Sequence, residues 1–180
     1  MRGRGEVTST EISREHIGEL MDAVRASGHL EHLRLDEWQL IDYLAALHTF
    51  MGGPLSSVDA FVSDIQESSA TEHRVWWLRG NTIGSLAVQA HQGPEGQREQ
   101  AQVMGYVRHL SAVKRIDIDK ADFQYDQFGN GIPEVKPSVR ILLDDEEIVV
   151  SAAGRLSQRE KAQATGFISQ LLKQLAALDT

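Results

Sequence analysis

At 180 residues the chain has single-domain size and can bury a core without staples; lacking cysteine, it has no disulfide, thiolate zinc site or cysteine nucleophile. Its net charge of −8, from 18 basic against 26 acidic residues, argues against a broad nucleic-acid surface and against anionic lipid. No run approaches the ~18 apolar residues of a membrane span, and the basic start Met1-Arg2-Gly3-Arg4-Gly5 leads into polar residues, so a soluble cytoplasmic protein is expected.

Residues 1–10 read as a solvated tail and 11–68 as a helical segment. Ser13 or the Ser9-Thr10 pair can cap a first helix, in which Ile17, Leu20, Met21 and Val24 form one apolar stripe and Gly28 is the stop. After the connector 29–35, Asp36 is a good N-cap. Trp38, Ile41, Leu44, Leu47 and Met51 make a second stripe, closed by Gly52-Gly53-Pro54. Ser56-Ser57-Val58-Asp59 can cap a third helix with Val58, Phe61, Val62 and Ile65 on one face, and Glu67 to His73 reads as a linker.

From residue 74 the apolar residues alternate as in strands. Val75–Leu78 and Thr82–Ala90 flank Gly80-Asn81, which suits a two-residue hairpin turn. His91–Gln100 is a loop, and Gln102–Arg108 and Val113–Ile118 are strands. Phe123 and Tyr125 mark a further short strand, and 127–137 is a long loop with breakers. Val139–Leu143 and Ile148–Ser151 flank the acidic turn Asp144-Asp145-Glu146-Glu147. Ser157-Gln158-Arg159-Glu160 matches a capping box. It opens a long helix in which Ala164, Phe167, Ile168, Leu171, Leu172, Leu175 and Leu178 share a broad apolar face.

The class is therefore α+β: N-terminal helices, then a six- to seven-stranded antiparallel sheet or partly open barrel over 74–180, closed by a C-terminal helix. Over those residues the element order resembles the pleckstrin-homology-like barrel, whose C-terminal helix plugs one end, and somewhat the helix-grip folds. The first resemblance implies phosphoinositide binding through basic residues around the first hairpin, where this chain has only Arg74 and Arg79.

Adjacent Trp76 and Trp77 sit where the pattern changes. Successive strand residues point to opposite faces, so one indole goes to each side of the sheet. Trp76, with Leu78, is expected to meet the C-terminal helix around Phe167 and Leu171. Trp77, on the face of Val75 and Arg79, needs cover from the N-terminal helices or from another molecule.

Motifs for chemistry are weak. Asp126–Ile132 echoes a calcium loop, but Phe128 and Pro137 stand where oxygen ligands belong. Asp117, Asp119 and Asp122 could hold a cation or act as paired acids, yet Lys114, Arg115 and Lys120 lie among them. Asp144–Glu147 is expected as a solvated hairpin tip. His29 and His32 have metal-compatible spacing but need two further ligands. Gly80–Ser85 lacks a phosphate-loop lysine. No catalytic, cofactor or metal residue is assigned and no cofactor is expected.

The reading is a non-catalytic interaction or adaptor/chaperone-like module with a protein partner, a homodimer being one form open to it, without nucleic acid or membrane. Trp77, Arg79 and Trp38 are the candidate partner-binding residues. The alternative is a small-molecule binder or enzyme. Its apolar pocket would lie between the C-terminal helix (Phe167, Ile168, Leu171) and sheet residues Met104, Tyr106 and Trp76 or Trp77.

Overall fold

Two helices open the chain, α1 (Arg14–Arg25) and α2 (Glu37–Met51). The computed structural model describes residues 12–25, 30, 33, 35–63, 72–89, 101–125, 131–154 and 156–178. The tail, Gly28, the His29/His32 pair, Ile65, the loop around 91–100 and Asp126–Asn130 lie outside the described residues. α2 starts and stops where its ends predict. The Gln39 amide donates to Asp36 Oδ1 at 2.7 Å while the Asp36 amide donates to Gln39 Oε1 at 3.3 Å, so free first-turn donors are satisfied reciprocally. At the other end Gly52 takes φ +77°, the left-handed conformation that favours glycine, and a Cβ there would displace the Arg79 guanidinium.

Among the described residues seven strands follow. β1 (Ala60–Ser63), β2 (Glu72–Arg79), β3 (Thr82–Gln89) and β4 (Gln102–His109) form one antiparallel meander. β5 (Arg115–Gln124), β6 (Glu134–Leu142) and β7 (Glu147–Ser151) form a second, and α3 (Gln158–Leu178) closes the chain. The α+β class and the antiparallel run are as expected, but the strands divide four and three instead of forming one sheet or barrel. The division falls at a short 3-10 turn, Leu110–Ala112. Its buried Leu110 anchors the crossing, and the Leu110 amide donates to Asn81 O at 2.8 Å.

Several expectations need correcting. Val58–Ser63, the described part of the expected third helix, is not helical: Ala60–Ser63 pairs with β2, with Phe61 opposite Trp77 and Val62 opposite Trp76. Both neighbours are thereby buried on opposite sides, which a strand allows and a helical stripe does not. Glu72 and His73 belong to β2 rather than to a linker. The segments expected around 113–118 and 123–125 are one strand, β5, interrupted by a bulge between Ile118 and Lys120. β6 begins at Glu134 and runs through Pro137. The Pro137 carbonyl accepts from Ala152 N at 2.8 Å, so its N side also faces the β7 edge, just beyond the Ser138–Ser151 pair that ends β7. The absent N–H costs little there. On α2, Tyr43 rather than Trp38 turns inward, with Leu44, Leu47 and Met51.

Two cores result. Val62, Trp76, Leu78 and Ile83 of the first sheet meet Val139, Ile141, Ile148 and Val150 of the second, and Ala164, Phe167, Ile168 and Leu171 of α3 close that core. On the other face Phe61, Val75, Trp77, Leu86 and Val88 pack against Leu20, Val24, Tyr43, Leu44, Leu47 and Met51 of the two N-terminal helices. The expected capping box of α3 is present, with Ser157 N to Glu160 Oε2 at 2.6 Å and Glu160 N to Ser157 Oγ at 3.2 Å. The Trp77 indole lies over its cross-strand neighbour Gly84, where a Cβ would stand 2.1 Å from ring carbon Cε2.

Trp76→Ala and Trp77→Ala should each cost ~3–5 kcal/mol in urea unfolding. Gly84→Ala should cost ~1–3 kcal/mol in the natural background and less beside Trp77→Leu, because the indole no longer fills the space. An equal Gly84→Ala cost in both backgrounds would refute the indole clash.

Candidate functional site

The expected partner-binding residues occupy different surroundings. Trp77 is 1% exposed, beneath the N-terminal helices. Arg79 shares its face of β2 and donates from Nη1 to Met51 O at 2.7 Å, placing a cation on the C-terminal carbonyls of α2. Trp38, 51% exposed, stands on the first turn of the same helix, about 20 Å along the axis from Met51 at the usual rise per residue. Trp77 and Arg79 thus fasten α2 to the sheet, with Trp77 buried there, while Trp38 and Arg79 are both exposed to solvent.

The acidic turn between β6 and β7 is not a free tip. Glu146 Oε1 accepts from Arg74 Nη1 at 2.6 Å, and Asp145 accepts from Arg108, so the second sheet is tied to β2 and β4 of the first. Arg74 also meets Glu72 Oε1 at 2.9 Å, and the Arg108 guanidinium lies 4.3 Å above the Tyr106 ring. Burial, followed by the adjoining Glu146 carboxylate, pushes the Tyr106 phenol well above its ordinary range; Arg108 holds Asp145 below the usual carboxylate range. Both shifts run away from neutrality, so each group keeps the state that its ordinary value already gives it there, Tyr106 protonated and Asp145 ionised.

The acids of β5 are likewise partnered. Asp117 meets Arg115 at 2.9 Å, Asp119 meets Arg140 at 3.2 Å and Asp122 meets Lys120 at 2.9 Å. The Lys120 bond, then the Gly154 amide, draws Asp122 below its ordinary value. Among the described residues no three His, Asp or Glu side chains are grouped to hold a metal ion.

Phe167, Ile168 and Leu171 are buried in the first core with Trp76, and Tyr106 packs against that core while it also lines, with Met104, a groove at the rim of the first sheet. β4 ends that sheet. Around it Phe50, Met104 and Val107, each about half exposed, border a groove of about 620 Å³ with Leu86, Val103 and Gly105. Gly105 opens the groove floor: a Cβ there would lie 2.1 Å from Ser85 O and 2.9 Å from Leu86 Cα. Buried Ser85 Oγ and Trp76 Nε1 have no hydrogen-bond partner, and these two residues face one another across β2 and β3. Phe50 and Val107 escape sequence reasoning. The uncharged run Gln102–Val107 is visible in the chain, but nothing local says that β4 ends its sheet.

No protein-family model, curated protein or solved structure matches the chain.

Where α1 meets α2, the rings of His16 and His48 stack with centroids 5.5 Å apart. Burial, then the neighbouring His16, pushes His48 below its ordinary value. The unfolded chain therefore binds this proton more readily than the folded one. Stability linked to His48 is in place above the unfolded value of 6.5 and falls as pH drops below it. The thermal midpoint should decrease on acidification from about pH 7.5 to 5.5, and His48→Gln should lessen that decrease; identical slopes for the two proteins would rule out the His48 contribution.

Proposed function

We propose that the protein is a non-catalytic interaction module that takes an extended segment of a partner protein along the free edge of β4. The observation that carries this reading is the chemistry of that edge. Exposed edge strands are usually blunted with lysine, proline or a bulge. From Gln102 to Val107 β4 has no charge and no proline, and it pairs with β3 through all eight residues without a register shift. An added strand would find main-chain donors and acceptors on one side and apolar contacts at Phe50, Met104 and Val107. Four strands opposite three with a closing helix is read here as a variant of the pleckstrin-homology-like order, which carries no function by itself.

The same groove supports a second reading, a small amphipathic ligand. Its volume is within the range of small-molecule sites, and its lining is largely apolar, with Ser85 and Tyr106 among the residues that border it.

A photo-crosslinking residue at Val107 should capture one discrete protein in cells of the source organism, and the same residue at exposed Lys173 on α3 should not. Adding Met104→Lys should abolish capture while leaving the thermal midpoint within about 2 °C, because it changes an exposed side chain. Equal capture from both positions would remove the β4 reading. A midpoint rise with an apolar small molecule, lost on Met104→Lys, would favour the ligand instead.

A further inference from the structure

We propose that β5 is the self-association edge of the protein, joining antiparallel to β5 of a second copy across a two-fold axis at Ile118. β5 ends the three-stranded sheet, on the opposite layer from the β4 groove, and the inference stands or falls without that groove.

The argument starts from the bulge. β5 pairs with β6 as Arg115–Leu142, Asp117–Arg140, Lys120–Ser138 and Asp122–Lys136, all alternate positions of β6. Asp119 is the extra residue, and it shifts the alternation by one. Arg115, Asp117, Lys120 and Asp122 consequently share one face, although their numbers change from odd to even. Ile116, Ile118, Ala121 and Phe123 share the other, opposite Ile141, Val139, Pro137 and Val135.

Along the charged face the signs run plus, minus, plus, minus, and each cation already touches the acid after it. Arg115 lies 2.9 Å from Asp117, and Lys120 lies 2.9 Å from Asp122. Turning the strand about Ile118 places Arg115 opposite the partner's Asp122 and Asp117 opposite the partner's Lys120. Each of these four charges then faces its opposite both along and across the strands, in two identical squares of four, and the bulged Asp119 keeps Arg140 of its own sheet as partner. On the apolar face Ile116 meets the partner's Ala121, and Ile118 meets its own copy. Ile118 is 75% exposed, although it shares its face with the core residues Val139 and Ile141. Phe123 and Val135 extend the exposed apolar surface beside it.

The same pattern rejects neighbouring registers. A slip of two residues one way opposes Arg115 to the partner's Lys120 and Asp117 to its own copy. A slip the other way opposes Asp117 to the partner's Asp122 and Lys120 to its own copy. Directly opposed like charges destabilise a strand pair, so one register is selected. An interface of this kind is isologous and closes at two subunits.

Sedimentation equilibrium of the full chain should show a reversible dimer of twice 20.0 kDa, weakened by added salt. Asp117→Lys and Lys120→Glu each put like charges across the axis and should weaken association about tenfold or more. Mixed together, the two variants restore both pairs in a mixed dimer, which should approach the natural affinity within about threefold. Lys120 is exposed and Asp117 half-buried, and circular dichroism checks that each variant keeps its fold. Ile118→Asp gives an independent reading at the axis and should also leave monomer. A monomer at all concentrations, a dimer indifferent to the charge variants, or single variants that do not recover on mixing would each overturn the proposal.

Discussion

β2 is buried on both faces, and that constraint organises the molecule. A strand with one wet face needs a single apolar layer; Val75-Trp76-Trp77-Leu78 offers four consecutive apolar residues and so demands two. The second sheet and α3 supply one layer, and α1 with α2 supply the other. β1 and β3 inherit the demand through pairing, which is why Phe61 and Val62, or Ile83 and Leu86, end in different cores. Gly84 shows how tight this arrangement is. The strand beside Trp77 gives up a side chain so that the indole can lie against backbone.

What was legible in the chain is what local rules determine. Asp36 with Gln39 and Ser157 with Glu160 announce helix starts because the capping partners are three residues apart. Gly80-Asn81 announces the β2–β3 hairpin, and alternation predicts which indole goes to which layer. The misreadings have a common cause. Val58–Ile65 fits a helical stripe and a short strand equally well, and pairing with β2 decides. Pro137 is a breaker by its own chemistry, but it is tolerated in β6 because β7 stops beside it. The acidic turn reads as solvated, and Asp144, Asp145 and Glu147 are exposed, but its ties to Arg74 and Arg108, distant in sequence, are set only by the facing sheet. Of the candidate site residues, Trp77 and Arg79 are large or charged groups on a strand, and the sequence has no means of showing that α2 covers one and is capped by the other.

The two proposed surfaces lie on strand edges of contrasting chemistry. From Gln102 to Val107 β4 is uncharged and bordered by apolar side chains, and specificity there would have to come from side-chain pockets. β5 alternates charge on one face and exposes isoleucine on the other, so register is encoded in the strand itself. A molecule with both edges free could hold a partner on one sheet while its own copy occupies the other. The Arg74–Glu146 and Arg108–Asp145 ties would fix the distance between them.

The separation into two cores also gives the protein a built-in optical record of its own opening. Its three tryptophans sample three environments: Trp38 half in water on α2, Trp77 dry beneath the helical layer, and Trp76 dry between the sheets and α3. Release of the helical layer alone wets Trp77 and leaves Trp76 in place. Loss of the layered sheets wets Trp76 as well. The emission of the natural chain therefore distinguishes partial from complete unfolding with no label attached, and the boundary it reports is a single strand thick.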